Sequence, residues 1–510
     1  MAKQPGLRVS ARTKRRRPAG GAWVGPFLAG MAAGAAALAV ARGAGSRRRP
    51  IDPRLIRRAR GENLDPVVIV PGIMGSGLCR PDGTPVWLNV RNALGHYNLS
   101  LPFSIPLCDS RDDLEPHGLL GADAVLPRLF GFTEYSDLLE LLQAAGFRNE
   151  APRPDRATYH VFAYDWRRDL VEAAQRLHES LEKLAEERGD PGARFNVIGH
   201  SMGGLVARYY LRYGAEEPTE GMPVTWAGAR RIRHLVLVAV PNGGAVHALE
   251  GILYGNRVGL SYTTLAAPVV ARMPAVYQLL PPRGAPALVD HRLEPLDVDL
   301  HAVETWERFG WGPYAAPAAR RLAGIPEAER EAHRTFLPAV LERARALHTT
   351  LAAWPALACP AKVVLLGGDC LPTLARALVP EKPGLFPRFE PLNRAEADAM
   401  FDAGDGRVTR ASVLALHTMR SNDPETSSGM PEVSNVFIGS ADHHGIYREP
   451  TFQSVLLRVL LHPAPRPLSS ADVERAAAEG ASSSPSASPA TEQLVADAER
   501  RRFAGPRSGR

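Results

Sequence analysis

The chain has 510 residues, a formal net charge of +7 and only four cysteines. The positive charge is concentrated at one end, because residues 1–60 contain fifteen Lys and Arg against one acid, whereas the remainder has 46 basic and 53 acidic residues. This distribution gives no basic folded surface for a nucleic-acid partner, and the cysteine spacings are not those of a zinc site, so no metal and no cofactor is expected.

The basic leader, residues 1–60, surrounds an uncharged apolar run at 18–41. The run reaches the length that crosses a bilayer, about twenty residues, and arginines flank it on both sides. A signal anchor, a cleaved export signal and a disordered basic arm all fit this pattern. Its length and flanking charge favour a protein that is membrane-associated or exported.

The body, residues 61–465, alternates short apolar runs with amphipathic stretches. We predict helices at 135–145 and 170–187 and strands at 67–70, 161–164, from Phe195, 234–240, 363–366 and 435–438. Near-continuous apolar strands alternating with helices predict an α/β fold with a mainly parallel sheet covered on both faces. Residues 466–510 are rich in Ala, Ser and Pro and predict a disordered tail.

The most informative stretch runs from Phe195 to Tyr213, where Gly-His-Ser-Met-Gly (199–203) joins a predicted strand to a predicted helix. This is the context that makes G-x-S-x-G a nucleophile elbow, with the serine exposed on a tight turn above the sheet. Ser201 is therefore the predicted nucleophile. The order of strands, helices and elbow matches an α/β-hydrolase.

A nucleophilic serine needs a base and an orienting acid, which in α/β-hydrolases follow it in the order acid, then histidine. Asp405 lies between two glycines in a predicted tight loop, and Asp402 is the alternative acid. His443 and His444 directly follow the last predicted strand, and chemistry alone does not choose between them.

Two backbone N–H groups should stabilise the oxyanion that forms during attack on an ester. One belongs to Met202, the residue after the nucleophile. The other is expected in the glycine-rich loop 71–76, after the first strand, where Ile73 is the candidate donor.

Six motifs occur in an order and spacing that resemble one known family. They are V-I-V-P-G-I-M-G-S-G-L (68–78), A-Y-D-W-R (163–167), I-G-H-S-M-G-G-L (198–205), A-V-P-N-G-G (239–244), G-D-G-R-V (404–408) and H-H-G-I (443–446). Together they are similar to the lecithin:cholesterol acyltransferase family, which includes lysosomal phospholipase A2 and phospholipid:diacylglycerol acyltransferase. The resemblance covers about residues 64–462.

The resemblance implies an α/β-hydrolase in which Ser201 is the nucleophile and Asp405 is the acid. It also implies that Met202 and Ile73 are the oxyanion donors. In this family an aliphatic residue or Met follows the catalytic histidine by three positions, which selects His443, followed by Ile446, over His444. The family's lid loop, with its disulfide and membrane-facing Trp, corresponds to about residues 79–118, where Trp87, Cys79 and Cys108 stand.

A cap insertion is implied at about residues 242–355. Trp306 and Trp311 within it suggest an apolar wall for an acyl chain, or simply the packing of the cap core. Asp165-Trp166-Arg167 is interpreted as a structural tether for the cap.

The resemblance also implies a serine-dependent lipid O-acyltransferase or phospholipase that acts on glycerolipid esters through an acyl-enzyme. Its expected partner is a lipid or membrane surface that supplies the substrate. A soluble carboxylesterase or lactone hydrolase of the same fold is one alternative. A non-catalytic lipid-binding protein is an alternative of another class, against which the complete set of nucleophile, acid, base and oxyanion loop argues.

Overall fold

The computed structural model describes residues 53–61, 64–87, 99–120, 134–149, 158–258, 261–317, 326–382, 384–419 and 428–461. Its strands are β1 (Val67–Val70), β2 (Ser76–Cys79), β3 (Pro85–Trp87), β4 (Glu115–Leu119), β5 (Tyr159–Val161), β6 (Phe195–His200), β7 (Ile232–Val238), β8 (Gly255–Val258), β9 (Ser261–Ala266), β10 (Leu288–Val289), β11 (Lys362–Gly368), β12 (Leu371–Leu374), β13 (Ala377–Leu378), β14 (Phe401–Gly404) and β15 (Val433–Gly439).

The helices within the same ranges are α1 (Pro53–Gly61), α2 (Glu134–Ala144), α3 (Leu170–Arg188), α4 (Met202–Tyr213), α5 (Val246–Tyr254), α6 (Ala267–Val270), α7 (Pro274–Tyr277), α8 (Val303–Phe309), α9 (Arg330–Ala352), α10 (Arg394–Met400), α11 (Arg410–Val413) and α12 (Pro450–Leu461). Short 3-10 turns lie at Leu107–Asp109, Ala227–Arg230, Gly312–Tyr314, Glu327–Glu329, Leu416–Thr418 and Ile446–Arg448.

The central sheet of the described residues has six strands in the order β15-β11-β7-β6-β1-β5, and every neighbouring pair is parallel. The predicted parallel sheet is therefore confirmed, and its strand order and crossover helices make it an α/β-hydrolase fold. Two predicted strands are displaced: the one expected at 234–240 lies at Ile232–Val238, and the one expected at 161–164 lies at Tyr159–Val161. The strand expected at 161–164 ends at Val161, because the N–H of Tyr164 leaves the ladder and donates to the Ser76 hydroxyl at 3.1 Å.

Both faces of the sheet are buried, which explains the near-continuous apolar strands. Alternate residues of β1 point into different cores: Val68 and Val70 join the core that also contains α3, α4 and the cap, whereas Val67 and Ile69 join the core under α1, α2 and α12. This period-two alternation follows from the pleat of a strand. Because the strands of this sheet are parallel, their carboxyl ends lie together at one edge. The loops carrying Ser201 and His443 emerge at this edge.

The segment corresponding to the lid contains a small antiparallel sheet in the order β3-β2-β4. The buried Arg167 side chain binds Asp112 of this segment through two hydrogen bonds of 2.7 Å, and it also binds Asp165. Among the hydrogen bonds of the described residues, Arg167 contacts the cap through its carbonyl, which accepts from the N–H of Ala275 at 3.3 Å. The prediction that Asp165-Trp166-Arg167 tethers the cap is therefore corrected. The Arg167 side chain mainly holds the lid segment, through Asp112.

The four cysteines are free thiols in the structure: Cys79, Cys108, Cys359 and Cys370. The Cys79 thiol instead contacts the Glu115 carbonyl on neighbouring strand β4 at 3.6 Å. The lid disulfide suggested by the family resemblance is thus not formed in this structure.

A buried charge cluster joins the helix after Ser201 to distant parts of the chain. The Glu432 carboxylate, just before β15, binds Arg208 at 2.6 Å and Arg212 at 2.8 Å, both on α4. The guanidinium of Arg208 also donates to the Leu351 carbonyl at 2.9 Å, and that of Arg212 donates to the Ala353 carbonyl. This Arg208–Glu432–Arg212 cluster therefore connects α4, the end of α9 and the approach to β15.

Within the described ranges, no helix has the length and apolarity needed to cross a bilayer. The apolar run at 18–41 and the tail at 466–510 lie outside those ranges.

Candidate active site

Ser201 stands on a strained turn between β6 and α4. Its backbone has φ 51° and ψ −128°, a conformation that a residue with a side chain adopts rarely and that occurs mostly at functional sites. The turn is possible because glycines flank it closely. A Cβ at position 203 would lie 2.2 Å from the Pro71 carbonyl oxygen, and a Cβ at position 199 would lie 2.7 Å from the Gly204 Cα. The local geometry is that of a nucleophile elbow.

Asp405 and His443 come together although 38 residues separate them. The Nδ1 atom of His443 lies 2.8 Å from one Asp405 carboxylate oxygen, and the His443 N–H donates to the Asp405 carbonyl at 2.9 Å. The other carboxylate oxygen accepts from the N–H groups of Arg407 and Val408, at 2.9 and 2.8 Å. The tight loop between two glycines thus aims the acid at one histidine.

The contact between Asp405 and His443 does not involve the alternative acid, Asp402, or the alternative base, His444. Asp402 binds Arg376 at 2.8 Å rather than a histidine. The ring of His444 lies edge-on to that of His443, with the ring centres 5.5 Å apart. The Asp405 carboxylate therefore contacts His443.

The electrostatics of Asp405 fit a carboxylate that remains charged. Burial alone would raise the pKa of this carboxyl, but the neighbouring His443 and the two backbone N–H groups outweigh it and hold the pKa below its usual value of 3.8. A charged carboxylate favours the His443 tautomer that carries its proton on Nδ1, which leaves Nε2 free to accept a proton.

We expect this lowered pKa to appear in the pH dependence of stability. A carboxyl with a depressed folded-state pKa adds stability that is present above its unfolded value and is lost as the pH falls through its folded value. Asp405→Asn keeps an acceptor for the backbone N–H groups but removes the charge beside His443. Its free energy of unfolding in urea should be below wild type near neutral pH, and the difference should shrink as the pH falls below 3.8. A difference that does not change with pH would contradict this expectation.

The loop at 71–76 lies directly against the nucleophile. A Cβ at position 72 would lie 2.9 Å from the Ser201 Cβ and 3.5 Å from its hydroxyl oxygen. The adjoining Ile73 is half-buried. Met202 is the first residue of α4, and the first N–H groups of a helix have no acceptor inside it and carry partial positive charge. Both predicted oxyanion donors are thus on segments that border Ser201.

A tyrosine at the start of the helix predicted at 135–145 contacts the site through His200. The ring of His200, which precedes Ser201, lies 5.1 Å from that of His443. Its Nδ1 atom is 2.9 Å from the Tyr135 hydroxyl, which also accepts from the N–H of Gly72 at 2.8 Å. No sequence signal pointed to this contact, because Tyr135 looks like any apolar-face residue of α2.

The three tryptophans predicted at the lid and substrate site are core residues in the structure. Trp87, Trp306 and Trp311 are each at most 1% exposed. The indole N–H of Trp87 donates to the Met74 carbonyl at 3.0 Å, and that of Trp306 donates to the Leu300 carbonyl at 2.9 Å. The expectation of an exposed lid Trp is corrected, and the cap aromatics pack against one another, with Trp306 and Trp311 ring centres 6.0 Å apart.

A cavity of about 310 Å³ opens beside the acid loop rather than at the nucleophile. It is lined by the start of the cap at Gly243–Val246 and by Asp402, Arg407 and His417. Burial and the nearby Arg208 charge lower the pKa of His417 to about 4, so its imidazole is neutral at physiological pH. Ser201, Asp405 and His443 do not line this cavity.

Several solved structures are distantly similar to this chain. The structure of the Tle4-Tli4 complex is 15% identical, with a TM-score of 0.47, over 78% of this chain and 98% of that chain. The mature lipase BlEst2 of Bacillus licheniformis is 10% identical, with a TM-score of 0.31, over 81% and 96%. The phospholipase PlaB of Legionella pneumophila is 13% identical, with a TM-score of 0.30, over 82% and 62%. These distant similarities do not indicate a substrate for this chain, and no curated protein matches it.

The sequence model of one protein family does match. The model described as lecithin:cholesterol acyltransferase covers residues 118–309, from the end of β4 to the end of α8. The matched segment includes the whole strand–turn–helix around Ser201, whereas Asp405 and His443 lie beyond it. The match covers less than half of the chain, and over this segment the chain is similar to the lecithin:cholesterol acyltransferase family.

Proposed function

We propose that this protein is a serine-dependent lipid O-acyltransferase or phospholipase that acts on glycerolipid esters through an acyl-enzyme on Ser201. The observation that carries the proposal is the 2.8 Å contact between His443 and Asp405 beside the strained Ser201 elbow. The family match supports a lipid ester as the substrate. In this proposal the substrate comes from a lipid or membrane surface.

In the first half-reaction, the Ser201 hydroxyl oxygen attacks the ester carbonyl carbon and its proton passes to Nε2 of His443. The N–H groups of Met202 and Ile73 would stabilise the negative charge that develops on the carbonyl oxygen. The C–O bond to the leaving alcohol then breaks. That alcohol takes the proton from His443, which leaves the acyl group on Ser201.

In the second half-reaction, an alcohol or water gives its proton to His443 and attacks the acyl carbon. The bond to Ser201 breaks, and the serine oxygen recovers its proton. The product is a new ester when a lipid alcohol attacks and a free fatty acid when water attacks. Both outcomes use the same acyl-enzyme, so access of the acceptor decides between transfer and hydrolysis.

The test uses phospholipid vesicles with a labelled acyl chain, with and without a lipid alcohol in the bilayer. Wild-type protein should release a lysophospholipid in both cases, with the label appearing in a new ester when the acceptor is present. Ser201→Ala should give neither product, and it should not react with a fluorophosphonate probe that labels the wild type.

Three outcomes would change the proposal. Label only in free fatty acid would reject the transferase activity and leave the phospholipase. Cleavage of small soluble esters without any lipid turnover would favour the carboxylesterase alternative. Wild-type protein that does not react with the fluorophosphonate, or that reacts as Ser201→Ala does, would reject the serine mechanism.

A further inference from the structure

The Tyr135 hydroxyl bridges two segments that border Ser201. It accepts a hydrogen bond from the N–H of Gly72, in the loop at 71–76, at 2.8 Å. It also lies 2.9 Å from Nδ1 of His200, the last residue of β6. Tyr135 is 2% exposed, so water does not compete freely for these bonds.

The loop folds closely around this hydroxyl. A Cβ at position 75 would lie 3.0 Å from the Tyr135 oxygen, so the loop passes over it with no room for a side chain there. The N–H of Gly75 donates to the Gly72 carbonyl at 3.0 Å and closes the turn that contains Ile73. The hydrogen bond to Gly72 thus holds the peptide immediately before the Ile73 N–H.

The support for the loop comes from a rigid element. Tyr135 lies in the first turn of α2, whose apolar face is buried in the core under the sheet. Its ring packs edge-on against His200, with ring centres 5.5 Å apart, and His200 in turn packs against His443 at 5.1 Å. One buried aromatic cluster therefore touches the segments of the oxyanion loop, the nucleophile and the base.

We propose that Tyr135 is a positioning residue for the reaction, holding the oxyanion loop at a fixed distance from Ser201 by bridging Gly72 and His200. This inference rests on the proposed function. Oxyanion donors stabilise the developing charge when the protein has already placed them at hydrogen-bonding distance from it. Displacement of a donor by about 1 Å lowers the rate. Tyr135→Phe would keep the packing but leave the buried Gly72 N–H without its acceptor, so the turn would reorient to find another.

The test compares Tyr135→Phe with Tyr159→Phe. Tyr159 is a matched control because it is also buried and lies in the same core, but its hydroxyl accepts a hydrogen bond from Gln143 of α2 at 3.2 Å rather than from the loop. We expect Tyr135→Phe to lower kcat by about 10- to 100-fold with little change in KM. Its affinity for a trifluoromethyl ketone, which mimics the tetrahedral intermediate, should fall by a similar factor. Tyr159→Phe should change neither quantity.

Rates are expressed per active site titrated with a fluorophosphonate, so that loss of folded protein does not count as loss of catalysis. Amide hydrogen exchange of residues 68–78 gives a readout independent of turnover, and it should be faster in Tyr135→Phe than in Tyr159→Phe.

The inference is overturned if Tyr135→Phe matches wild type in kcat and ketone affinity, or if Tyr159→Phe loses as much. Unchanged exchange of the loop would overturn it as well. Wild-type protein that turns over no ester and does not label would instead reject the proposed function, which is a distinct result.

Discussion

His443→Ala is expected to lower kcat/KM for ester substrates by about 10⁴-fold or more, whereas His444→Ala should remain within a few-fold of wild type. The reason is the contact between His443 Nδ1 and the Asp405 carboxylate at 2.8 Å. A histidine oriented in this way has Nε2 available for the serine proton. Removing it leaves Ser201 without a base, while the oxyanion donors and the substrate contacts remain.

The measurement is steady-state hydrolysis of a soluble ester, with circular dichroism to show that both variants fold. His444→Ala is the matched control, because it removes the same ring one position along the same loop. If His444→Ala lost activity and His443→Ala kept it, the base would be the other histidine. If both variants kept activity, the proposed mechanism would be wrong.

Glu432→Gln is expected to lower the free energy of unfolding by about 3–5 kcal/mol. Burial alone would raise the pKa of the Glu432 carboxyl, but the charges of Arg208 and Arg212 outweigh it and hold the pKa below its usual value. Without this carboxylate, two guanidinium groups that are at most 4% exposed would share the interior with no opposite charge. An uncompensated buried charge is much more costly than the loss of a surface ion pair.

Glu182→Gln is a close control for this effect. Glu182 also binds two arginines, Arg230 and Arg231, but its side chain is 28% exposed and that of Arg230 is 59% exposed. Water can solvate the substituted side chain and Arg230, and the Arg231 side chain, which is 10% exposed, keeps its hydrogen bonds to the Pro191 and Ala193 carbonyls, so we expect a loss of about 1 kcal/mol or less. Urea unfolding measures both values, and equal losses in the two variants would contradict the assigned role of burial.

The Arg208–Glu432–Arg212 cluster is also connected to the candidate active site. Arg208 lies on α4 seven positions after Ser201, and its guanidinium contacts the Asn242 side chain, which donates to the Val413 carbonyl at 2.9 Å. Val413 ends α11, shortly after the Asp405 loop. The nucleophile helix and the segment after the acid are therefore linked through buried polar groups.

Local features of the chain were predictable because their causes are local. The elbow at Ser201 depends on a few consecutive residues: an apolar strand, two glycines that prevent clashes and an amphipathic helix. The central strands were predictable for a similar reason, since both faces of the sheet are buried and the strands have few polar residues. The limits of the strand predicted at 161–164 were wrong by two or three residues. Its end was misplaced because the N–H of Tyr164 bonds to Ser76, far away in the sequence.

Other properties were decided only by the tertiary structure. The burial of Trp87 in the core, the bond from Arg167 to Asp112 and the bridge made by Tyr135 all depend on residues that are distant in the chain. The sequence by itself determined that Ser201 stands on a nucleophile elbow within a parallel α/β fold, because strand, turn and helix are encoded within about twenty residues. Which side chains surround that serine depended on packing between segments up to hundreds of residues apart, and the hydrophobic patterns of those segments specify a buried face but not the partner that covers it.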